Sequence, residues 1–163
     1  HAIFGIGARL AGALAVLADD VGVDPRRGVA VDALDDELKV RSPQARLWPQ
    51  TERLKAALLL SELDPAGSET YDACAQAAAR SMLSFLEAPV LGVWRDKLCA
   101  DGSWKEEPAP ASSLYHIAGA IWEFRRTQNA KPRLQQPAQA SDLLLGTSAL
   151  GGADQGSYFA GSA

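Results

Sequence analysis

The 163-residue sequence has few cysteines, no excess of basic charge and no long apolar run, and each shortage excludes a class of function. Cys74 and Cys99 show neither metal-ligand spacing nor a disulfide framework, so we expect a reducing cytoplasmic setting and no metal site. The formal net charge of −4 provides no broad basic field, which argues against nucleic acid and anionic membrane as partners. No apolar run reaches the roughly 18 residues of a membrane span. The expected partner is therefore a small molecule or another protein.

Apolar residues are plentiful, at 47% of the chain, and their spacing favours helices. The first segment, residues 3–19, has apolar residues at steps of three and four, which predicts a helix with one buried stripe. A second helix is expected with Pro49 in its first turn, ending near residues 64–67. A third is expected from about Glu69 to Glu87. The predicted stripe of the first helix comprises Ile3, Ile6, Leu10, Leu14 and Leu17, and the core of the third comprises Ala75, Ala78, Met82, Phe85 and Leu86.

Short non-helical segments separate these helices. Residues 28–40 predict a short ribbon or an exposed turn, and the acidic run 35–37 within them lacks calcium-loop spacing, which favours a solvated turn over a cation site. Asp101-Gly102 predicts a tight hairpin turn. Ser112 or Ser113 is expected to cap a last helix whose apolar face would contain Leu114, Ile117, Ile121 and Phe124. From Lys131 onward the composition is rich in Gln, Ser, Gly and Ala, so we expect residues 131–163 to form a mostly disordered tail.

A weak internal repeat is the most informative pattern in the chain. Two similar units are offset by 64 residues, and Glu52 in the first unit corresponds to His116 in the second. Repeats of this kind stack so that equivalent loops share a face. A carboxylate and an imidazole are therefore expected to converge on one cleft. The matching positions are Gly28, Val29, Asp32, Leu34 and Glu52 in the first unit, and Gly92, Val93, Asp96, Leu98 and His116 in the second.

Three segments carry a resemblance to a known family. RLWPQTERLKA at 46–56, GVWRD at 92–96 and PAPASSLYHI at 108–117 resemble the C-terminal part of the N-acylglucosamine 2-epimerase family, which includes mannose isomerases and mannose-6-phosphate isomerase-like enzymes. The resemblance covers about residues 3–128. It implies an all-α fold, a partial α/α toroid built of helical hairpins with short β-hairpin-like connections. It also implies that residues 1–130 are the closing part of a ring of about six hairpins, with a sugar pocket at one end.

The same resemblance implies roles for individual residues. Glu52 matches the functional glutamate of the family, and His116 matches one of its two acid/base histidines. The other histidine is expected upstream of this chain, because the residues after His1 lack the expected motif. Without the resemblance, a lone histidine such as His116 is more often a structural or surface residue than a catalytic one. Glu52 would then be an ordinary first-turn carboxylate at a helix N-terminus. In the catalytic interpretation, Glu52 would orient an imidazole, assist ring opening or bind a sugar hydroxyl.

Two further residues are weaker candidates for contact with a substrate. Trp48 lies close enough to the first motif to stack on a sugar, whereas Trp94, Trp104 and Trp122 are expected to serve packing. Arg46 would meet a phosphate or a sugar oxygen, although a solvated or salt-bridged arginine explains it equally well.

The leading hypothesis is a sugar isomerase or epimerase that needs no cofactor and moves a proton next to the sugar carbonyl. Its substrate would be a hexose, an N-acylhexosamine or a sugar phosphate, and the choice between C2 epimerisation and aldose–ketose isomerisation stays open, as does a homodimeric state. An imidazole titrates near the working pH and suits such a proton transfer. One alternative is a non-catalytic carbohydrate-binding or protein-interaction domain. Another is that this stretch alone is an inactive piece whose exposed helical flanks drive association.

Overall fold

Four α-helices and three short antiparallel strand pairs make up residues 2–130, which are the part of the chain described by this computed structural model. The helical content confirms the all-α prediction. The helices are α1 (Ala2–Gly22), α2 (Leu47–Leu63), α3 (Ser68–Leu86) and α4 (Ser113–Ala130). The strands are β1 (Val23–Asp24), β2 (Val29–Ala30), β3 (Ala33–Leu34), β4 (Val40–Ser42), β5 (Ala45–Arg46) and β6 (Lys97–Leu98).

Helices α2 and α3 form an antiparallel hairpin. One 3₁₀ turn, Pro65–Gly67, connects them at the point where the sequence predicted a helix end. Near this turn the Ser61 hydroxyl donates a hydrogen bond to Asp72, and at the far end the Ser81 hydroxyl donates to Gln50. Because the residue numbers rise on one helix as they fall on the other, these two contacts fix the antiparallel direction.

Helices α2 and α4 lie side by side and run parallel. Glu52 contacts His116 near their N-termini, and Glu62 contacts Arg126 near their C-termini, each pair separated by 64 residues in sequence. The two contacts are ten residues apart on each helix, which corresponds to about 15 Å of helix length. The 64-residue offset of the sequence repeat is therefore the register in which the two helices pack.

The core lies between α2, α3 and the loop that leads to α4. Phe85 of α3 is fully buried, and Trp104 packs edge-on against it with 4.9 Å between ring centroids. Of the five core residues predicted for α3, Leu86 is half-buried against the core and the other four are buried. The buried apolar cluster comprises Val29, Ala45, Leu47, Leu54, Ala57, Leu58, Ala75, Ala78, Met82, Phe85, Leu98, Ile117 and Ala120.

The predicted turns are also present. Between β6 and Trp104 the chain reverses at Asp101-Gly102, where Gly102 adopts a positive φ of 87° and its N–H bonds to the carbonyl of Cys99. The segment 28–40 contributes to two ribbons, since β2 pairs with the preceding β1 and β3 pairs with β4. Asp35 closes the β3–β4 turn by accepting the backbone N–H groups of Glu37 and Lys39.

The prediction that the apolar stripe of α1 is buried is wrong for the leucines whose side chains are described. Leu10, Leu14 and Leu17 are all exposed. Instead, the face of α1 that contains Gly12 and Asp19 packs against α2 and α3. Gly12 is buried against the Tyr71 hydroxyl, where a Cβ would lie only 2.2 Å from that oxygen, and Asp19 pairs with the Arg53 guanidinium through two hydrogen bonds. A close backbone approach and an ion pair thus decide the rotation of α1.

The predicted apolar face of α4 is wrong in part. Ile117 is buried, but Leu114, Ile121 and Phe124 are exposed. The buried positions are Ser113, Ile117, Ala120 and Thr127, a mostly small set that allows α4 to approach α2 closely. Of the two predicted capping residues, Ser112 occupies the N-cap position, because the helix begins at Ser113. The Ser113 hydroxyl instead donates a hydrogen bond to Asp96.

None of the helices in the described part of the chain is both long and apolar enough to cross a membrane. The tail predicted for residues 131–163 lies outside the described residues.

Candidate active site

The β5–β6 pair brings the N-termini of α2 and α4 together. Arg46 of β5 pairs with Lys97 of β6, and the N–H of Leu47, the first residue of α2, bonds to the carbonyl of Asp96. The buried Asp96 side chain accepts a hydrogen bond of 3.1 Å from the hydroxyl of Ser113, the first residue of α4. One short segment therefore contacts the beginnings of both helices.

A fully buried amide fixes the first turn of α2. Oε1 of Gln50 accepts hydrogen bonds from the backbone N–H of Ala30 and from the Ser81 hydroxyl. Its Nε2 donates to the carbonyls of Ala30 and Arg46. Since an amide side chain offers two donors and an acceptor with two lone pairs, every position is used. The turn that carries Glu52 is thus held to β2 and α3.

Glu52 and His116 meet directly across the two helices. Oε1 of Glu52 lies 2.8 Å from Nδ1 of His116, and the side chains are 42% and 30% exposed. The structure therefore brings together the two residues that the repeat predicted to converge. A half-exposed carboxylate–imidazole pair remains accessible to a small molecule.

The charge state of Glu52 determines how the imidazole is held. Burial raises the pKa of Glu52, but hydrogen bonds from Lys55 and His116 lower it, and the net pKa lies below its ordinary value. An ionised carboxylate only accepts hydrogen bonds, so a neutral His116 must donate from Nδ1. Its Nε2 is then unprotonated and can accept a proton, which is the property that a general base requires.

Two aromatic side chains flank His116. The ring of Trp48 lies 6.1 Å away and is tilted by 41°, and the ring of Tyr115 lies 5.2 Å away, edge-on. Both are exposed to solvent. An exposed aromatic ring offers an apolar face with a polar edge, which suits packing against a sugar. Tyr115 was not among the predicted site residues, although its place next to His116 at the start of a helix was the available signal.

The other predicted residues lie apart from this pair. Arg46 is half-buried at the entry to α2, and its guanidinium forms no ion pair with any residue in the range 2–130. The structure does not bring it within hydrogen-bonding distance of Glu52 or His116. Trp94 and Trp104 pack against the core, while Trp122 is exposed on α4.

Within residues 2–130, no group of three or more histidine, cysteine or acidic side chains is arranged to hold a metal ion.

A separate cavity of about 230 Å³ lies between α1, α2 and α3. Its lining is largely alanine, valine and leucine, and its charged members, Asp19 and Arg53, already bond to each other. It includes neither Glu52 nor His116. A polyhydroxylated ligand would find few free polar partners there, so the Glu52–His116 pair is the stronger candidate for a sugar site.

Residues 8–120 match the family model of N-acylglucosamine 2-epimerase (GlcNAc 2-epimerase). A mannose-6-phosphate isomerase of Rhizobium meliloti (strain 1021) is 53% identical over 104 residues, which are 63% of this chain and 27% of that protein. The chain therefore spans about a quarter of the length of this curated relative. No solved structure matches the chain.

Proposed function

The chain belongs to the N-acylglucosamine 2-epimerase family, a family of sugar epimerases and isomerases, and from this membership we propose that it contributes a proton-transfer site to a cofactor-independent sugar isomerase. The proposed reaction is the aldose–ketose isomerisation of a mannose-type hexose or its phosphate. The single observation that carries the proposal is the hydrogen bond between Glu52 and His116 at the adjoining N-termini of α2 and α4.

The chemistry follows from the state of the imidazole. In the open-chain sugar, the hydrogen on C2 is weakly acidic because it lies next to the C1 carbonyl. Nε2 of His116 takes this proton, the electron pair of the C2–H bond forms the C1–C2 double bond of an enediol-like intermediate, and O1 gains a proton. Return of a proton to C1 with loss of the O2 proton gives the ketose. Return of a proton to the opposite face of C2, with loss of the O1 proton, gives the epimer instead.

We favour isomerisation because the Rhizobium meliloti relative, 53% identical over the shared segment, is a mannose-6-phosphate isomerase by name. Both reactions share the first step at His116. They differ in where the proton returns, and pocket contacts decide that step.

The intact reaction requires a second acid/base group. His116 is the one histidine among residues 2–130, and protonation of O1 or delivery to the other sugar face calls for a partner on the opposite side of the substrate. We assign that partner to a part of the protein outside these residues. The isolated 163-residue chain is therefore expected to show no turnover, whereas the full-length protein turns over sugar.

The test is product analysis in deuterated water. The full-length protein is incubated separately with mannose, mannose-6-phosphate and N-acetylglucosamine, and the products are identified by NMR. Isomerisation gives a ketose that carries deuterium at C1, and epimerisation gives an aldose that carries deuterium at C2. Sugar binding with neither product formation nor deuterium incorporation would reject the enzyme proposal and support the non-catalytic carbohydrate-binding alternative.

A further inference from the structure

The lysine that helps to lower the pKa of Glu52 also lies next to the Glu52–His116 pair. Nζ of Lys55 lies 2.7 Å from Oε1 of Glu52, the same oxygen that lies 2.8 Å from Nδ1 of His116. Lys55 is one turn further along α2, and its side chain is 24% exposed. One carboxylate oxygen is thus shared by an ammonium group and an imidazole.

Helix α4 leaves room for this lysine. Gly119 lies opposite Lys55, and a Cβ at this position would lie 3.9 Å from Nζ and 4.0 Å from Cδ of the lysine. The lysine stem therefore passes over the glycine. A Cβ at Gly119 would make only ordinary van der Waals contact with it, so alanine would fit there, whereas a larger side chain such as leucine would compete for the space of the lysine stem.

We propose that Lys55 is a positioning residue, which balances the charge of Glu52 and so allows the carboxylate to orient His116 without holding it as imidazolium. This inference rests on the proposed function, because it assigns Lys55 a part in the same proton transfer. An unpaired carboxylate at hydrogen-bonding distance stabilises a protonated imidazole strongly. With its charge balanced by the ammonium group, Glu52 still accepts the Nδ1 hydrogen but favours imidazolium less.

Three titratable side chains lie at or next to His116. Glu52 of α2 contacts Nδ1, Lys55 lies behind Glu52 on the same helix, and Tyr115 of α4 packs edge-on against the imidazole ring. Loss of the ammonium charge is therefore expected to act on the imidazole mainly through Glu52.

The test compares Lys55→Met with Lys55→Arg in the full-length protein. Methionine keeps an apolar stem and removes the charge. The acid limb of the profile of kcat against pH should therefore move to higher pH by roughly one unit, and KM should change less than about twofold. Arginine keeps the charge and should restore the parent profile. Lys105→Met is the matched control, since Lys105 is an exposed lysine that bridges Glu107 at 3.0 Å and should leave the profile unchanged.

Two further measurements keep the test decisive. Nitrogen-15 labelling of histidine follows the titration of His116 directly, and the midpoint should rise in Lys55→Met by the same amount. Gly119→Leu retains every charge but fills the space of the lysine stem, so it should shift the profile in the same direction even if Lys55→Met does not fold. Parent-like kinetic and NMR titrations in the folded variants would overturn the role of Lys55. Absence of turnover in the parent would reject the proposed function, while the NMR titration would still decide the role of Lys55.

Discussion

At the scale of single residues, the site depends on one carboxylate oxygen and the donors around it. Oε1 of Glu52 accepts from His116 and from Lys55, so its charge, its direction and the tautomer of the imidazole are linked. The contact between Glu52 and His116 could be predicted because the two residues occupy equivalent positions of the 64-residue repeat. The role of Lys55 could not be predicted, since a lysine three residues after a glutamate on a helix usually indicates only a surface ion pair.

Glu52→Gln is expected to lower kcat of the full-length protein by roughly 10- to 100-fold, because an uncharged amide orients the imidazole less strictly and misplaced catalytic groups are costly. Steady-state kinetics with the preferred sugar measures this effect. Glu62→Gln is the control, since Glu62 contacts Arg126 near the C-terminal ends of the same two helices. A folded Glu52→Gln protein with the parent kcat would remove Glu52 from the mechanism.

Gln50→Leu is expected to destabilise the protein by about 2–4 kcal/mol, because it leaves the N–H and the carbonyl of Ala30 without their partner. Urea denaturation measures the change in the free energy of unfolding. Gln76→Leu, at an exposed position of α3, should change that free energy by no more than about 0.5 kcal/mol. Equal effects of the two substitutions would show that the buried network does not anchor α2.

At the scale of elements, helix positions were easier to predict than helix faces. Pro49, the 64–67 turn and Asp101-Gly102 are local signals, and local signals set where elements begin and end. The faces of α1 and α4 were predicted from apolar spacing alone, yet Gly12 and Asp19 decide the rotation of α1. Close approach and ion pairing depend on residues that are distant in sequence, so periodicity does not reveal them.

Helix α3 offers the clearest test of element packing. Phe85→Ala is expected to cost about 3–5 kcal/mol of unfolding free energy, because it leaves a cavity beside Trp104 in the centre of the core. Leu83→Ala, on the exposed face of the same helix, should cost less than about 1 kcal/mol. Thermal or chemical denaturation of both variants measures the difference, and a cost for Phe85→Ala as small as that for Leu83→Ala would contradict the assigned core.

At the scale of the whole molecule, the parallel packing of α2 and α4 explains why a repeat in sequence becomes a site in space. Equivalent turns of the two units lie side by side, so residues 64 positions apart meet at both ends of the helix pair. The family could be inferred from motifs in 46–56, 92–96 and 108–117. The choice among sugars could not be inferred from the sequence, because it depends on the side chains that surround the substrate rather than on the repeat.

Stability of the whole molecule is expected to fall in acid. A hydrogen bond from the Arg27 guanidinium lowers the pKa of Asp24 below its ordinary value of 3.8. A carboxyl with a lowered folded-state pKa stabilises the protein above its unfolded-state pKa, and this contribution is lost as the pH falls through the folded-state pKa.

Asp24→Asn should therefore lower the midpoint of urea unfolding at pH 7. The difference in midpoint between this variant and the parent should shrink as the pH falls below about 4. Asp36→Asn, at an exposed position in the β3–β4 turn, should follow the parent at every pH. A gap between Asp24→Asn and the parent that stays constant from pH 7 to the acid limit would contradict this linkage.

The central claim is that His116 moves the proton at C2 of the sugar, and one measurement tests it most directly. The full-length protein and its His116→Ala variant are incubated in deuterated water with mannose-6-phosphate, and the loss of the C2 hydrogen is followed by proton NMR. Exchange is expected in the parent, and its rate should be at least about 100-fold lower in the folded variant. Undiminished exchange in His116→Ala would contradict the claim.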